Sequence, residues 1–136
     1  MNPLPAFAAV FCLVSSAGAA LAGTYSGNWP LTVSHSQRAD GTYCLKVKDD
    51  GSLRFPHSGF VSLQGPGGNL PYGTFELIGH LFTVTVEQQG ESGQNAGLAF
   101  VAHASNGSIG KGIYDQVYGG EEFDSGAVAF GAKGGC

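Results

Sequence analysis

Leu81-Phe82-Thr83-Val84-Thr85-Val86-Glu87 is the stretch whose reading decides the fold. Phe82, Val84 and Val86 alternate with Thr83, Thr85 and Glu87. An extended chain therefore sets three large apolar side chains on one face and three polar ones on the other. A helix would scatter both sets around its axis, so the pattern specifies a half-buried antiparallel strand.

The same alternation runs outward in both directions. Trp29, Leu31 and Val33 precede it, as do Tyr43, Leu45 and Val47, which alternate with Cys44, Lys46 and Lys48. Val61 with Leu63 and Phe75 with Leu77 follow; beyond Glu87 come Leu98 with Phe100, Ile109 with Ile113, and Val128 with Phe130. Each set is expected to face inward. Turn chemistry separates the runs: Ala39-Asp40-Gly41, Asp49-Asp50-Gly51, Pro66-Gly67-Gly68-Asn69, Gln89-Gly90-Glu91-Ser92-Gly93 and Ser105-Asn106-Gly107 carry Gly or Asn where positive φ is cheap. Asp50-Gly51 and Asn106-Gly107 are the strongest hairpin signals. The fold class is all-β, a meander of about eight short strands. An up-and-down barrel is favoured over a β-sandwich because closure removes exposed edges and the strands are similar in length. Gly-Thr-aromatic recurs at Gly23, Gly41 and Gly73, at irregular spacing that excludes a solenoid or propeller.

The first 22 residues read differently. Leu4 to Val14 is almost wholly apolar, Ser15 to Ala20 is rich in small residues, and Ala20-Leu21-Ala22 has the small-x-small form of a signal-peptidase site. About ten apolar residues are too few to span a bilayer as a helix, which needs roughly 20. Pro3, Pro5 and the lack of a polar face argue against a buried helix, and Phe11 before Cys12 against a lipoprotein anchor. The expected organisation is a signal peptide over 1–22 and one all-β domain over 23–136, secreted or periplasmic, with no membrane anchor after cleavage.

Beyond the leader the chain holds two cysteines, Cys44 and Cys136. An oxidising compartment permits one pairing between them; free thiols or an intermolecular bridge are the alternatives. A Cys44–Cys136 bridge would pin a terminal tail that otherwise frays, and closing so long a loop is worth roughly 4 kcal/mol less strain. Since Cys44 shares its face with Lys46 and Lys48, the staple is expected on the outside of the barrel.

The net charge is -4 and only 12% of residues are charged. A weakly acidic surface with scattered lysines excludes a nucleic-acid partner, which needs a clustered basic face.

The stretch Tyr114-Asp115-Gln116-Val117-Tyr118-Gly119-Gly120-Glu121-Glu122-Phe123-Asp124 concentrates the candidate chemistry. It places four carboxylates and three aromatics within eleven residues. Read as a long connection between two strands, it is the candidate functional loop. Tyr114, Asp115, Tyr118, Glu121, Glu122 and Asp124 are its candidate binding residues, suited to a small ligand, a glycan whose ring stacks on an aromatic face, or a protein. A solvated acidic loop with its aromatics tucked into a barrel mouth is the plain alternative. Oxygen ligands would suit Ca²⁺, yet the spacing matches no EF-hand. Asp115 with Glu122 or Asp124 could serve as general acid and base in a small secreted hydrolase, which needs carboxylates about 5 to 9.5 Å apart at a cleft.

Elsewhere the signals are weak. His35, His57, His80 and His103 form no His-x-His or His-x3-His pair, so their spacing predicts no metal site. Gly107-Ser108-Ile109-Gly110-Lys111-Gly112 belongs to a strand and lacks the helix that a phosphate-binding loop opens. No Gly-x-Ser-x-Gly elbow occurs. Asn106-Gly107-Ser108 is a glycosylation sequon only in a eukaryotic host. Trp29, the only tryptophan, is placed to plug one end of a barrel. No cofactor is implied.

The early Trp29, the meander of short strands and the export signal are similar to small ligand-binding barrels of the lipocalin-like and avidin-like kinds. The similarity covers architecture alone and carries no site residues across. The expected function is a non-catalytic exported binding or interaction module, with the small hydrolase as the alternative.

Overall fold

A computed structural model describes residues 25–49, 57–89, 95–118 and 121–136. The leader, the Asp50-Gly51 turn signal and the segment after Gln89 lie outside the described residues. Eight strands follow in chain order: β1 Gly27–Ser34, β2 Gly41–Asp49, β3 His57–Gly65, β4 Gly68–Ile78, β5 Leu81–Gln89, β6 Asn95–Ser105, β7 Ser108–Tyr118 and β8 Glu121–Phe130. They pair in sequence order and β8 returns to β1, closing an antiparallel barrel. A meander needs only short links, and the sequence supplies them. Asn106 and Gly107 take φ of 53° and 80°, so the β6–β7 turn has two left-handed residues in a row, as Asn-Gly favours.

Alternation fills the interior as expected. Trp29, Leu31, Val33, Leu45, Val47, Val61, Leu63, Phe75, Phe82, Val84, Val86, Leu98, Phe100 and Val128 are all buried. Facing outward are Thr32, Lys46, Lys48, Thr74, Glu76 and Glu87.

One inward expectation fails. Ile109 is buried, but Ile113 is 61% exposed. The β6–β7 register slips between Ala102↔Gly112 and Ala104↔Ile109, so β7 carries one extra residue there. This bulge reverses the parity of the strand, and Gly112 and Tyr114 take the inward positions instead. Gly112 is required at that position: a Cβ on it would run into the backbone carbonyl of Val101. A second bulge, in β4, lies between Leu70 and Gly73 and accommodates Pro71 within the strand.

The two halves of the interior differ. Around the β1 start and the β6–β7 turn, aromatic rings fill the barrel. Phe75 and Phe82 stack at 5.2 Å, Tyr25 meets Phe82 at 5.8 Å, and Phe130 meets Phe82 edge-on at 6.3 Å. Trp29 closes this end, with its indole Nε1–H donating to the Tyr25 carbonyl at 2.9 Å. At the other end aliphatic side chains mix with Tyr43, Phe100 and Tyr114 around a cavity.

The β1–β8 seam is the shortest in the barrel, running from Leu31↔Phe130 to Ser34↔Ala127. Along the rest of β1 the C-terminal tail takes over: the Gly131 N–H donates to the Pro30 carbonyl and the Gly134 N–H to the Asn28 carbonyl, each at 2.7 Å. Cys136 then bonds to Cys44 of β2, with Cα atoms 6.0 Å apart. Pro30 fits here because a residue's N and O point to the same side of a strand, so its missing N–H falls on the seam. The bridge lies outside the barrel, as the position of Cys44 beside Lys46 and Lys48 implied.

Candidate functional site

The stretch from Tyr114 to Asp124 is not a loop. Tyr114 to Tyr118 ends β7 and Glu121 to Asp124 begins β8, paired as Gln116↔Asp124, Val117↔Glu122 and Tyr118↔Glu121. The register slips around Phe123, a bulge that leaves Gln116 with Asp124 inside the barrel and Val117 with Glu122 outside. Its six candidate residues are thereby dispersed. Glu121 and Glu122 are exposed, Asp115 pairs with Ser125 on the outer face, and the backbone of Tyr118 pairs with Ala96 and Glu121. The Tyr118 side chain lies outside the described residues. Asp115 and Asp124 stand on opposite sides of the sheet, whereas Asp115 and Glu122 share its outer face.

Tyr114 and Asp124 are 2% and 5% exposed: the tyrosine is tucked into the barrel mouth, and the carboxylate, read as part of a solvated acidic loop, is buried beside it. Both belong to the cavity-bearing end of the barrel. There a cavity of about 240 Å³ is walled by Val33, Leu63, Leu70, Leu98 and Phe100, with Tyr43, Asn69, Tyr114 and Gln116 as its polar contributors and Arg38 at its rim. Tyr114 packs on Phe100 with ring centroids 5.9 Å apart, and its hydroxyl donates to Gln116 Oε1 at 2.6 Å. Tyr43 forms another wall, flat against Gly65, where any side chain would collide with its ring. The Tyr43 hydroxyl donates to the Ala39 carbonyl at 2.7 Å. Burial raises the pKa of both phenols, and the negative charge of Asp124 raises them further, so both remain neutral donors well above neutral pH.

The β1–β2 loop, His35 to Asp40, folds over this mouth. His35 turns the chain into it at a φ of 58°. Asp124 then fastens it: Oδ1 accepts the Gln37 N–H at 2.9 Å and Oδ2 accepts the Arg38 N–H at 3.0 Å. The remaining contacts of that carboxylate are the Ser125 N–H at 3.0 Å and the Tyr114 hydroxyl at 3.5 Å. Within the loop, the Ser36 N–H and hydroxyl both donate to Asp40 Oδ1, at 2.8 and 2.5 Å. These bonds hold the Asp40 carboxyl below its ordinary pKa. Arg38 lays its guanidinium over the Phe123 ring, 4.2 Å from the centroid, which couples the loop to the β8 bulge. Asp124 is thus a latch that positions the loop, with its oxygens committed to backbone donors.

Tyr43, Asn69, Leu70 and Gln116 were not among the candidate binding residues, although Tyr43 was expected to face inward. Gln116 lies two residues from Tyr114, so alternation alone sets them on one face; Tyr43 and Leu70 are brought in by closure of the sheet. The histidines lie at strand ends, in turns and on the outer face. His57 Nε2 pairs with Asp49 Oδ1 at the far end, while His80 and His103 stack on the outer wall with centroids 5.4 Å apart. On another part of the outer wall Phe60 and Tyr72 stand 68% and 75% exposed.

Comparison with family models, with curated proteins and with solved structures finds no match.

Proposed function

We propose that this barrel is a non-catalytic binding protein, exported to the periplasm or beyond the cell, that takes a small and largely apolar ligand at its latched mouth. The observation that carries the reading is the 240 Å³ cavity, walled by aliphatic and aromatic side chains on which polar groups converge. A dry cavity of about 150 Å³ accepts benzene, and drug-sized sites start near about 300 Å³. The size therefore suits a bicyclic or short-chain ligand carrying one hydrogen-bonding group. Leu63, Leu70, Leu98 and Phe100 would bury its apolar body. Tyr114, Gln116 and Asn69 would meet its polar end. Loop His35 to Asp40 would shield it from water.

Two features support a binding role without catalysis. Asp124 has its oxygens taken up by backbone N–H donors, and the other carboxylates of the hairpin lie outside the cavity. Export is supported by the leader pattern and by the Cys44–Cys136 pair, which suits an oxidising compartment.

The test uses 2-naphthol, a fluorescent bicyclic phenol of the right size. Its emission is expected to shift and saturate on titration with the protein, and Leu70→Trp, which fills the mouth, is expected to abolish the change. Saturable binding that Leu70→Trp leaves intact would place the ligand elsewhere. An absence of binding to the unsubstituted protein would remove the reading for this ligand class.

A further inference from the structure

Spacing in the chain sets His80 and His103 23 residues apart, but the fold makes them neighbours. His80 occupies the two-residue β4–β5 turn, after Gly79 at a φ of 61°. His103 is on β6, paired across the ladder with Leu81, the residue that follows His80. Both side chains are exposed, and their rings lie nearly parallel, 17° apart with centroids at 5.4 Å.

The turn is clamped so that His80 cannot drift away. The Ala104 N–H donates to the His80 carbonyl at 2.8 Å, and His80 Nδ1 meets the Ala104 carbonyl at 3.1 Å. A carbonyl cannot donate, so that contact requires the proton on Nδ1. The tautomer is thereby fixed, and the lone pair of His80 is left on Nε2, pointing away from the backbone. A backbone carbonyl on the second nitrogen is the arrangement that orients imidazole ligands in metal sites. His103 stands beside it on a strand held by ladders on both sides.

We propose that His80 and His103 form a two-imidazole surface site for a borderline divalent cation, Cu²⁺ in preference to Ni²⁺ or Zn²⁺. Imidazole nitrogen suits these ions, and for a fixed pair of nitrogen donors affinity rises from Ni²⁺ to Cu²⁺ and falls again at Zn²⁺. Metal–nitrogen bonds of about 2.0–2.1 Å require the two donor atoms to come within about 4 Å of each other. His80 keeps its Nδ1–Ala104 contact, and the exposed His103 ring reaches that separation by rotating about its own Cα–Cβ and Cβ–Cγ bonds. No group of three or more His, Cys, Asp or Glu residues able to hold a metal occurs among the described residues, so water completes the coordination. The site is therefore open and exchangeable, unlike a four-ligand structural zinc centre. It lies on the outer wall, apart from the cavity, and its failure would leave the proposed ligand site untouched.

The experiment is calorimetric titration of the purified protein with Cu²⁺ in a weakly coordinating buffer. One equivalent is expected to bind. His80→Ala and His103→Ala are each expected to weaken binding by at least about tenfold, because each converts a chelate into a single contact. His35→Asn is the control: asparagine tolerates the left-handed φ at that position, and binding is expected to be unchanged. In amide spectra, paramagnetic broadening by Cu²⁺ is expected to centre on Leu81 and Ala104. Circular dichroism verifies that each variant is folded. Equal affinity in the protein and in the His80→Ala/His103→Ala double variant, or broadening centred elsewhere, would overturn the assignment.

Discussion

Replacing Asp124 with alanine isolates the latch, and the structure sets the size of the effect. The carboxylate accepts the backbone N–H groups of Gln37 and Arg38, 87 and 86 residues away in sequence, at 2.9 and 3.0 Å. Hydrogen bonds to a charged group are worth about 1.5–3 kcal/mol each, which puts the upper limit near 6 kcal/mol. Gln37 and Arg38 are themselves exposed, so water reaches their amides once the carboxylate is gone and offsets part of the loss. The expected net destabilisation is about 2–3 kcal/mol, with about half of that for Asp124→Asn, which keeps one acceptor oxygen. Urea unfolding followed by the fluorescence of Trp29 measures it, since a change of midpoint at constant slope reports stability alone. In the same variant, hydrogen exchange at the Gln37 and Arg38 amides is expected to accelerate, while β5 and β6 amides keep their protection. Glu122→Ala, an exposed change two residues away, is the control and is expected within about 0.5 kcal/mol of the parent. An Asp124→Ala variant with the parent midpoint and unchanged exchange at Gln37 and Arg38 would refute the latch.

Gly112→Ala drives a methyl into the Val101 carbonyl and is expected to destabilise the barrel by about 2–4 kcal/mol in the same urea assay, whereas Gly67→Ala, with open space around the added methyl, is expected to be neutral within about 0.5 kcal/mol. Because the Tyr114 and Tyr43 phenols titrate above their ordinary value of 10.0 in the folded chain, the unfolded chain loses these protons first; their stabilisation is complete below about pH 10 and declines as pH rises further. Urea midpoints at pH 8, 10 and 11 are expected to fall across that series, and Tyr114→Phe is expected to flatten the fall. Replacing Cys44 and Cys136 by serine opens a loop of 92 residues and is expected to cost up to about 4–5 kcal/mol, read as a lower midpoint, with hydrogen exchange rising first at the β1–β8 seam.

Most of the barrel could be read directly from alternation. Phe82, Val84 and Val86 declare a strand with one apolar face, and seven similar runs separated by Gly- and Asn-rich turns leave little choice but a meander. The bulges were hidden because a single extra residue has no periodicity of its own. Gly110 and Gly112 flank the one that turns Ile113 outward, and a glycine inside a strand is a sign of irregularity only once the strand is known. The Tyr114 to Asp124 stretch misleads for the same reason. Its Gly119-Gly120 centre and high charge imitate a long loop, while the alternation of Tyr114 with Gln116 is too short to stand out. Burial of Asp124 was invisible because its partners are backbone amides of a loop far away in the chain, and backbone donors leave no mark in side-chain chemistry. The His80–His103 pair depends on the register between β5 and β6, which sequence spacing does not encode.

Mapping 2-naphthol onto the protein by amide and side-chain chemical shifts tests the central claim most directly. Binding at the latched mouth predicts saturable shifts confined to Tyr43, Leu63, Leu70, Leu98, Phe100 and Tyr114, with the Gln37 and Arg38 amides responding as the loop settles over the ligand. Shifts gathered instead around the exposed Phe60 and Tyr72, or none at saturating probe, would contradict a ligand site inside the barrel.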